Sequence, residues 1–153
     1  MTTDQMASMS IIEDFLTTSE EQQIIEAIRQ AELNTSGEIR VHIENCCSQG
    51  AEARAKEVFS ILKMDNTKLQ NAVLIYIAVH DHHFAIYGDN GINNVVPDSF
   101  WNTTKDIIQD HFRKGEFGIG LINGIACVGE QLKLYFPWNS DDSNELPNTI
   151  STS

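Results

Sequence analysis

The segment NAVLIYIAVHDHHFAIYGDNGI, residues 71–92, decides the fold of this chain. Its apolar run, Ala72 to Val79, is too short for a typical helix and is rich in Val, Ile and Tyr, which predicts a strand buried on both faces. The polar stretch His80 to His83 interrupts the run, and Phe84 to Tyr87 predicts a second strand that leads into the glycine-flanked loop Gly88 to Gly91. The segment therefore predicts a β-hairpin inside a sheet, with polar residues at both of its ends, where α/β domains tend to carry their sites.

The elements around this hairpin alternate between helix and strand. Upstream, Ser19 as N-cap and Gln22 at the third helical position predict a helix that runs to about Leu33. Residues 38–44 alternate strictly between apolar and polar side chains, which predicts a strand. Further helices are predicted over residues 51–64, 97–112 and 117–135, and Gly118, Gly120 and Gly124 are expected to let the last of them pack closely on the sheet.

This order of elements predicts an α/β fold, a three-layer α/β/α sandwich with a small mixed sheet. The first two strands are joined through a helix and should be parallel, whereas the third returns antiparallel. The chain of 153 residues fits one domain. We expect an N-terminal extension over residues 1–17 whose apolar patch lies against the body, the folded domain over 18–137, and a disordered tail rich in Ser, Asn, Asp and Pro over 138–153.

Composition limits the classes of partner. Ten basic residues face 22 acidic ones, and the net charge of −12 repels phosphate backbones and anionic lipids, so nucleic acid and membrane surfaces are excluded as expected partners. No segment approaches the ~20 apolar residues of a membrane span, and the first residues lack the features of a secretory signal. Three cysteines give no disulfide framework. We therefore expect a soluble, cytoplasmic monomer with a possible protein partner.

The predicted topology sorts the polar residues into two groups, one at each end of the strands. We call these two ends the edges of the sheet. The starts of the first two strands and the end of the third share one edge, which collects Ser36, Gly37, Glu38, Asn71, Asp89 and Asn90. The other edge receives Glu44, Cys46, Cys47, His80, Asp81 and His82.

Glu38, Asp89 and Asn90 are the candidate metal ligands of the first edge. Hard cations such as Ca²⁺ take several oxygen ligands, and a glycine-rich loop lets backbone carbonyls join the carboxylates. The same Asp-Asn-Gly sequence also suits a tight turn that binds nothing. At the second edge, His80 and His82 share a side and could hold zinc with a third ligand, but none stands at a diagnostic spacing, and a solvated hairpin turn is the alternative.

Familiar enzyme signatures are absent. The chain has no GxxxxGK[ST] loop, no GxGxxG after a strand, no GxSxG and no EF-hand series. Cys47 and Arg54 are seven residues apart, whereas the phosphate loop of a cysteine phosphatase needs six. The sequence therefore assigns no catalytic residue.

Four spaced blocks in the chain resemble the TPM domain family. They are GEIRVHIE at 37–44, the hairpin segment at 71–92, FW at 100–101 and HFRKGEFGIGLINGIACVGEQLKLYFP at 111–137, so the resemblance covers about residues 13–137. It implies an α/β/α sandwich of the short, soluble bacterial type, acid phosphatase activity as attributed to plant members, and calcium binding as suspected in some members. The family's usual N-G-V-L is Asn71 to Leu74 here, with Ala in place of Gly, and its frequent Gly-Asp-Tyr is Gly115 to Phe117, which loses the tyrosine hydroxyl.

Two functions from different classes follow from these observations. The first is a divalent-metal (calcium) binding or protein-interaction module, with Glu38, Asp89 and Asn90 supplying oxygens. The alternative is a metal-dependent acid phosphatase of low activity, for which Arg40 and Arg113 are the candidate phosphate clamps.

Overall fold

The computed structural model describes residues 15–138 and 148–153. Over these residues the helices are α1 (Thr18–Glu32), α2 (Ala51–Ile61), α3 (Asn90–Asn93), α4 (Asn102–Arg113) and α5 (Phe117–Tyr135). The strands are β1 (Glu38–Glu44), β2 (Ala72–Ala78), β3 (His83–Gly88) and β4 (Ile150–Thr152). Among the helices so described, none combines the length and hydrophobicity that crossing a bilayer requires.

The strands form one mixed sheet in the order β3-β2-β1-β4. β1 and β2 are parallel, with Glu38 opposite Ala72, and β2 and β3 form the antiparallel hairpin, with Val73 opposite Gly88. The predicted strand directions are therefore confirmed, and so is the α/β class with a small mixed sheet.

The C-terminal strand β4 corrects the prediction of a disordered tail over residues 138–153. Ile150 to Thr152 pair in parallel with β1, opposite Val41 to Ile43. The pattern was missed because three residues in a Ser- and Thr-rich context carry no local strand signal, and their pairing depends on contacts more than 100 residues away in sequence. Residues 139–147 of the predicted tail lie outside the described residues.

Alternation along the strands builds a core on each face of the sheet. On one face, apolar β1 and β2 side chains such as Val41 and Ile75 pack against α1, α4 and α5. On the other face, Leu74 and Tyr76 pack against α2. Every residue of β2 is buried, as expected for a strand covered on both sides. The three-layer arrangement follows directly from this pattern.

Several helix boundaries differ from the predicted ones. α1 is capped by Thr17, which forms a capping box with Glu20, rather than by Ser19 with Gln22, because the T-T-S-E-E sequence offers both registers. α4 begins at Asn102 instead of Pro97, since residues 97–101 form turns, and the short α3 was not predicted.

The N-terminal extension is described only from Phe15, so Ile11 and Ile12 of its apolar patch lie outside the described residues. Phe15 and Leu16 are buried in the larger core, which agrees with the prediction that the patch lies against the body.

The glycines of α5 serve helix–helix contacts and not the predicted contact with the sheet. A side chain at Gly120 would meet His111 and Phe112 of α4, and one at Gly124 would meet Ile108 of the same helix. Gly118 faces Glu20 of α1. Close approach of the neighbouring helices therefore explains why these positions lack a side chain.

Candidate metal site at the strand ends

The register of β1, β2 and β3 brings polar residues to one edge of the sheet. The backbone N–H of Glu38 donates to the carbonyl of Asn71 at 3.3 Å, and the N–H of Asp89 donates to the carbonyl of Ala72 at 3.0 Å. Glu38 and Asp89, as predicted from the topology, therefore lie at the same edge, on either side of the start of β2. We call the edge formed by Ser36, Gly37, Glu38, Asn71, Asp89 and Asn90 the acidic rim.

Asp89 presents a buried carboxylate oxygen to this rim. It is the N-cap of α3, and its Oδ1 accepts the N–H of Asn90 at 2.7 Å. Its Oδ2 is buried and has no hydrogen-bond partner in the described part of the chain, and the residue is only 6% exposed. A carboxylate oxygen that has left water without gaining a partner costs free energy, and a bound cation is one way of offsetting that cost.

Glu38 is buried beside a second carboxyl group, that of Glu32. Glu32 is the last residue of α1, and its Oε2 accepts the backbone N–H of Ile39 at 3.0 Å. Burial raises the pKa of Glu32 to about 8, against the effect of the Ile39 hydrogen bond, and the charge of Glu38 adds to the rise. A neighbouring negative charge that raises the pKa of a buried carboxyl group also favours a cation beside the pair.

Sequence reasoning missed Glu32. Its signal was local: an acidic residue ends α1, where the negative end of the helix dipole disfavours it. Such a residue needs a compensating contact, and here the N–H of Ile39 supplies only part of it, because Oε1 of Glu32 is buried without a partner among the described residues.

Asn90 contacts the acidic rim through its backbone. Asn90 is the first residue of α3. Its backbone N–H donates to Oδ1 of Asp89, and the residue as a whole is exposed. An N–H donor cannot ligate a cation, and the backbone carbonyl of Asn90 already accepts the N–H of Asn94 at 3.0 Å, so the side-chain oxygen of Asn90 is its predicted ligand atom.

Backbone carbonyls approach the same loop. A side chain at Gly91 would overlap the carbonyl oxygens of Leu69 and Gln70, so these carbonyls lie directly against the Asp89 turn. Gln70 is held at a φ of 49°, in the left-handed region that non-glycine residues seldom occupy. The chain before β2 therefore brings further oxygen atoms to the acidic rim.

The donor set of the acidic rim fits a hard cation in chemistry. It consists of carboxylate, amide and carbonyl oxygens, which Ca²⁺ prefers, and lacks the nitrogen and sulfur ligands that zinc takes. No cluster of three or more His, Cys, Asp or Glu side chains able to hold a metal occurs within residues 15–138 and 148–153. Because β2 separates β1 from β3, about 10 Å lies between the backbones that carry Glu38 and Asp89. An ion that contacts both would need these side chains to reach toward each other.

The opposite edge of the sheet contains a structural turn. The Oδ2 of Asp81 accepts the N–H of Cys47 at 2.7 Å, and this hydrogen bond lowers the pKa of Asp81. His80 and His82 are exposed, and the absence of a three-ligand cluster in the described residues gives the zinc alternative no support. Burial raises the pKa of the Cys47 thiol, which disfavours the thiolate that a nucleophile needs.

The polar side of β1 connects the two edges. At its far end Glu44 accepts two hydrogen bonds from Arg54, at 2.8 and 3.0 Å, and one from the hydroxyl of Tyr76. His42 is buried between hydroxyls of the C-terminal strand, with Ser151 at 2.9 Å and Ser153 at 2.7 Å. Arg40 lies between these groups and Glu38, and its Nε is buried with no partner in the described chain.

Comparison with known proteins agrees with this architecture. The sequence model of the TPM domain matches residues 12–131. The NMR structure of BA42 protein from the psychrophilic bacterium Bizionia argentinensis is 58% identical, with a TM-score of 0.88 over 94% of this chain and 99% of that one. No curated protein matches the chain.

Two more distant structures share the fold. The N-terminal domain of cg2496 from Corynebacterium glutamicum is 12% identical, with a TM-score of 0.62 over 90% of this chain and 80% of that one. The N-terminal domain of a P. gingivalis protein is 20% identical, also with a TM-score of 0.62, over 80% and 79%. At these identities the likeness concerns the fold alone. The family match covers most of the chain, and the protein belongs to the TPM domain family.

Proposed function

We propose that the acidic rim binds a divalent cation, Ca²⁺ by the chemistry of its donors, and that the protein is a metal-binding or interaction module. The observation that carries this proposal is Oδ2 of Asp89, a buried carboxylate oxygen without a hydrogen-bond partner among the described residues. Glu38, Glu32 and the carbonyls beside Gly91 add oxygen and negative charge around it.

Each residue of the rim has a distinct part in the proposed site. Asp89 is the ligand whose free oxygen faces the ion, and Glu38 supplies a second carboxylate from β1. The N–H of Asn90 holds the other oxygen of Asp89 in place, so the carboxylate is oriented before an ion arrives. A bound ion would order the loop from Gly88 to Gly91, and the exposed Asn90 would then be presented to a protein partner in a fixed position.

Thermal unfolding with and without millimolar Ca²⁺, Mg²⁺ or Zn²⁺ tests this proposal. We expect Ca²⁺ to raise Tm by several degrees, since a ligand at a hundred times its Kd adds about 2.7 kcal/mol. Asp89→Asn and Glu38→Gln should each remove the rise and leave the apo protein folded. Asp110→Asn is the matched control, because it removes one negative charge at an exposed position near the C-terminal end of α4, which lies at the other end of the sheet. An undiminished calcium shift in both rim variants would refute the site.

Arg40 supports an alternative function, the metal-dependent hydrolysis of phosphate esters. Its guanidinium makes no ion pair with a described residue, and burial lowers its pKa. It lies two residues from Glu38 on the same side of β1, about 7 Å along the strand, which suits a phosphate clamp beside a metal ion. A bound ion would supply polarisation of the phosphoryl oxygens and of an attacking water.

Hydrolysis of an aryl phosphate by exhaustively purified protein decides this alternative. Activity that depends on Ca²⁺ or Mg²⁺ should fall at least tenfold in Arg40→Gln and be partly restored in Arg40→Lys, which keeps the positive charge. Arg29→Gln, in an exposed pair with Glu26, is the control for loss of one cation. Activity that is equal in all of these variants and in Asp89→Asn would point to a contaminant.

A further inference from the structure

A cavity of about 480 Å³ opens at the end of the sheet opposite the acidic rim. It lies between the hairpin turn, the C-terminal end of α4 and the N-terminal end of α5. Four phenylalanines line it, Phe15, Phe84, Phe112 and Phe117, and we call it the phenylalanine pocket. Its volume falls within the ~300–1,000 Å³ range of small-molecule sites.

The aromatic walls support one another. The ring centroids of Phe15 and Phe117 are 4.6 Å apart, and Phe112 packs edge-on against Phe117 at 5.3 Å and against Phe84 at 5.7 Å. Rings that pack in this way keep their rotamers, so the apolar part of the pocket is formed before a ligand binds. Walls of this kind suit a ligand whose main part is an alkyl chain or an aryl ring.

The polar lining of the pocket is cationic or neutral. It consists of Arg113, His82, His83 and Gln109, and no described Asp or Glu lines the cavity. This contrasts with the chain as a whole, in which 22 acidic residues outnumber ten basic ones. Arg113 forms no ion pair within the described residues, so its fork of N–H donors is available to a ligand. An arginine fork matches the two oxygens of a carboxylate.

We propose that the phenylalanine pocket binds a small organic monocarboxylate with an apolar body. The phenylalanines would enclose the alkyl or aryl part, and Arg113 would take the carboxylate at the mouth of the pocket. The N–H groups of Gln109 and the imidazoles of His82 and His83 are further donors at the same mouth. The site is independent of the metal proposed for the acidic rim, because the two lie at opposite ends of the strands.

Titration of the full chain with octanoate, followed by backbone amide NMR shifts, tests the proposal, with octanamide as a neutral ligand of the same shape. We expect shifts concentrated at residues 82–84 and 109–117, and octanamide binding about tenfold more weakly than octanoate. Arg113→Gln should weaken octanoate by a similar factor and leave octanamide unchanged. Lys114→Gln is the matched control, since this neighbouring cation does not line the pocket.

Three results would overturn the proposal. The first is no saturable shift at millimolar octanoate, and the second is a set of shifts that maps elsewhere on the protein. The third is equal affinity for octanoate and octanamide, which would remove the role of Arg113 in recognising charge.

Discussion

The carboxylates at the two ends of strand β1 differ in how fully they are paired. At one end Glu44 receives the guanidinium of Arg54 and the hydroxyl of Tyr76, and these hydrogen bonds lower its pKa although burial opposes them. At the other end Glu32 is buried against Glu38 with a raised pKa, and Asp89 keeps an unpartnered oxygen among the described residues. Breaking a buried ion pair by removing one partner destabilises the fold, whereas the buried oxygens of Glu32 and Asp89 that lack a described partner lower stability until a cation joins them. The difference separates a structural end of the strand from a candidate binding end.

The largest expected effect belongs to the paired end. Glu44→Gln should lower the free energy of unfolding by about 3 kcal/mol at pH 7, because it removes the buried charged partner of Arg54 and leaves only the exposed Glu57 beside that guanidinium. Since the folded protein lowers the pKa of Glu44, this contribution is present above the ordinary glutamate pKa and is lost as pH falls through the folded value. Urea unfolding at pH 7 and at acidic pH measures both effects.

Glu57→Gln is the control for that measurement. Glu57 also pairs with Arg54, but its side chain is 52% exposed, so its loss should cost well under 1 kcal/mol. Equal effects of the two substitutions would show that burial does not distinguish these ion pairs.

Gly91→Ala should lower the free energy of unfolding of the protein by about 2 kcal/mol, since the added methyl group would force the Leu69 and Gln70 carbonyls away from the loop at the acidic rim. Asn90→Ala, at an exposed neighbouring position, should have little effect. Chemical unfolding of both variants checks the difference. If Gly91→Ala were as stable as the parent protein, the close approach of these carbonyls would be refuted.

Glu32→Gln, unlike the substitutions above, should raise the free energy of unfolding, and this effect should be smallest at low pH. The folded state raises the pKa of Glu32 to about 8, so the folded protein binds more protons than the unfolded chain between the ordinary glutamate pKa and that value. Stability therefore falls as pH rises through this window, and a glutamine, which mimics the protonated acid, avoids the loss. We expect the variant to exceed the parent by about 2 kcal/mol at pH 8 and by little at pH 5.

Glu26→Gln provides the comparison for Glu32→Gln. Its hydrogen bond with Arg29 lowers the pKa of Glu26 to about 2, so its charge does not change between pH 5 and pH 8. The difference between this variant and the parent protein should be independent of pH in that range. A gain for Glu32→Gln that does not grow with pH would contradict the raised pKa of Glu32.

Much of the fold could be predicted because its signals are local. Alternation in residues 38–44 and the apolar run from Ala72 gave the two central strands, and the crossover rule then placed Glu38 and Asp89 at one edge. β4 could not be predicted, since His42 and distant serines determine its position.

The details of the sites depended on contacts between elements. Glu32 resembles any polar residue at a helix end until Ile39 and Glu38 are placed beside it. The phenylalanine pocket combines side chains from separate helices and the hairpin, so no stretch of sequence encodes it.

Calorimetric titration with Ca²⁺ at pH 7.5, run on the parent protein, Asp89→Asn and Glu44→Gln, tests the central claim most directly. We expect one calcium ion per chain, loss of binding in Asp89→Asn, and binding retained in Glu44→Gln at a temperature where that variant is folded. NMR amide shifts on addition of Ca²⁺ should fall at residues 69–71 and 88–91. Binding that survives in Asp89→Asn, or that is lost only in Glu44→Gln, would contradict the assignment of the acidic rim as the binding end.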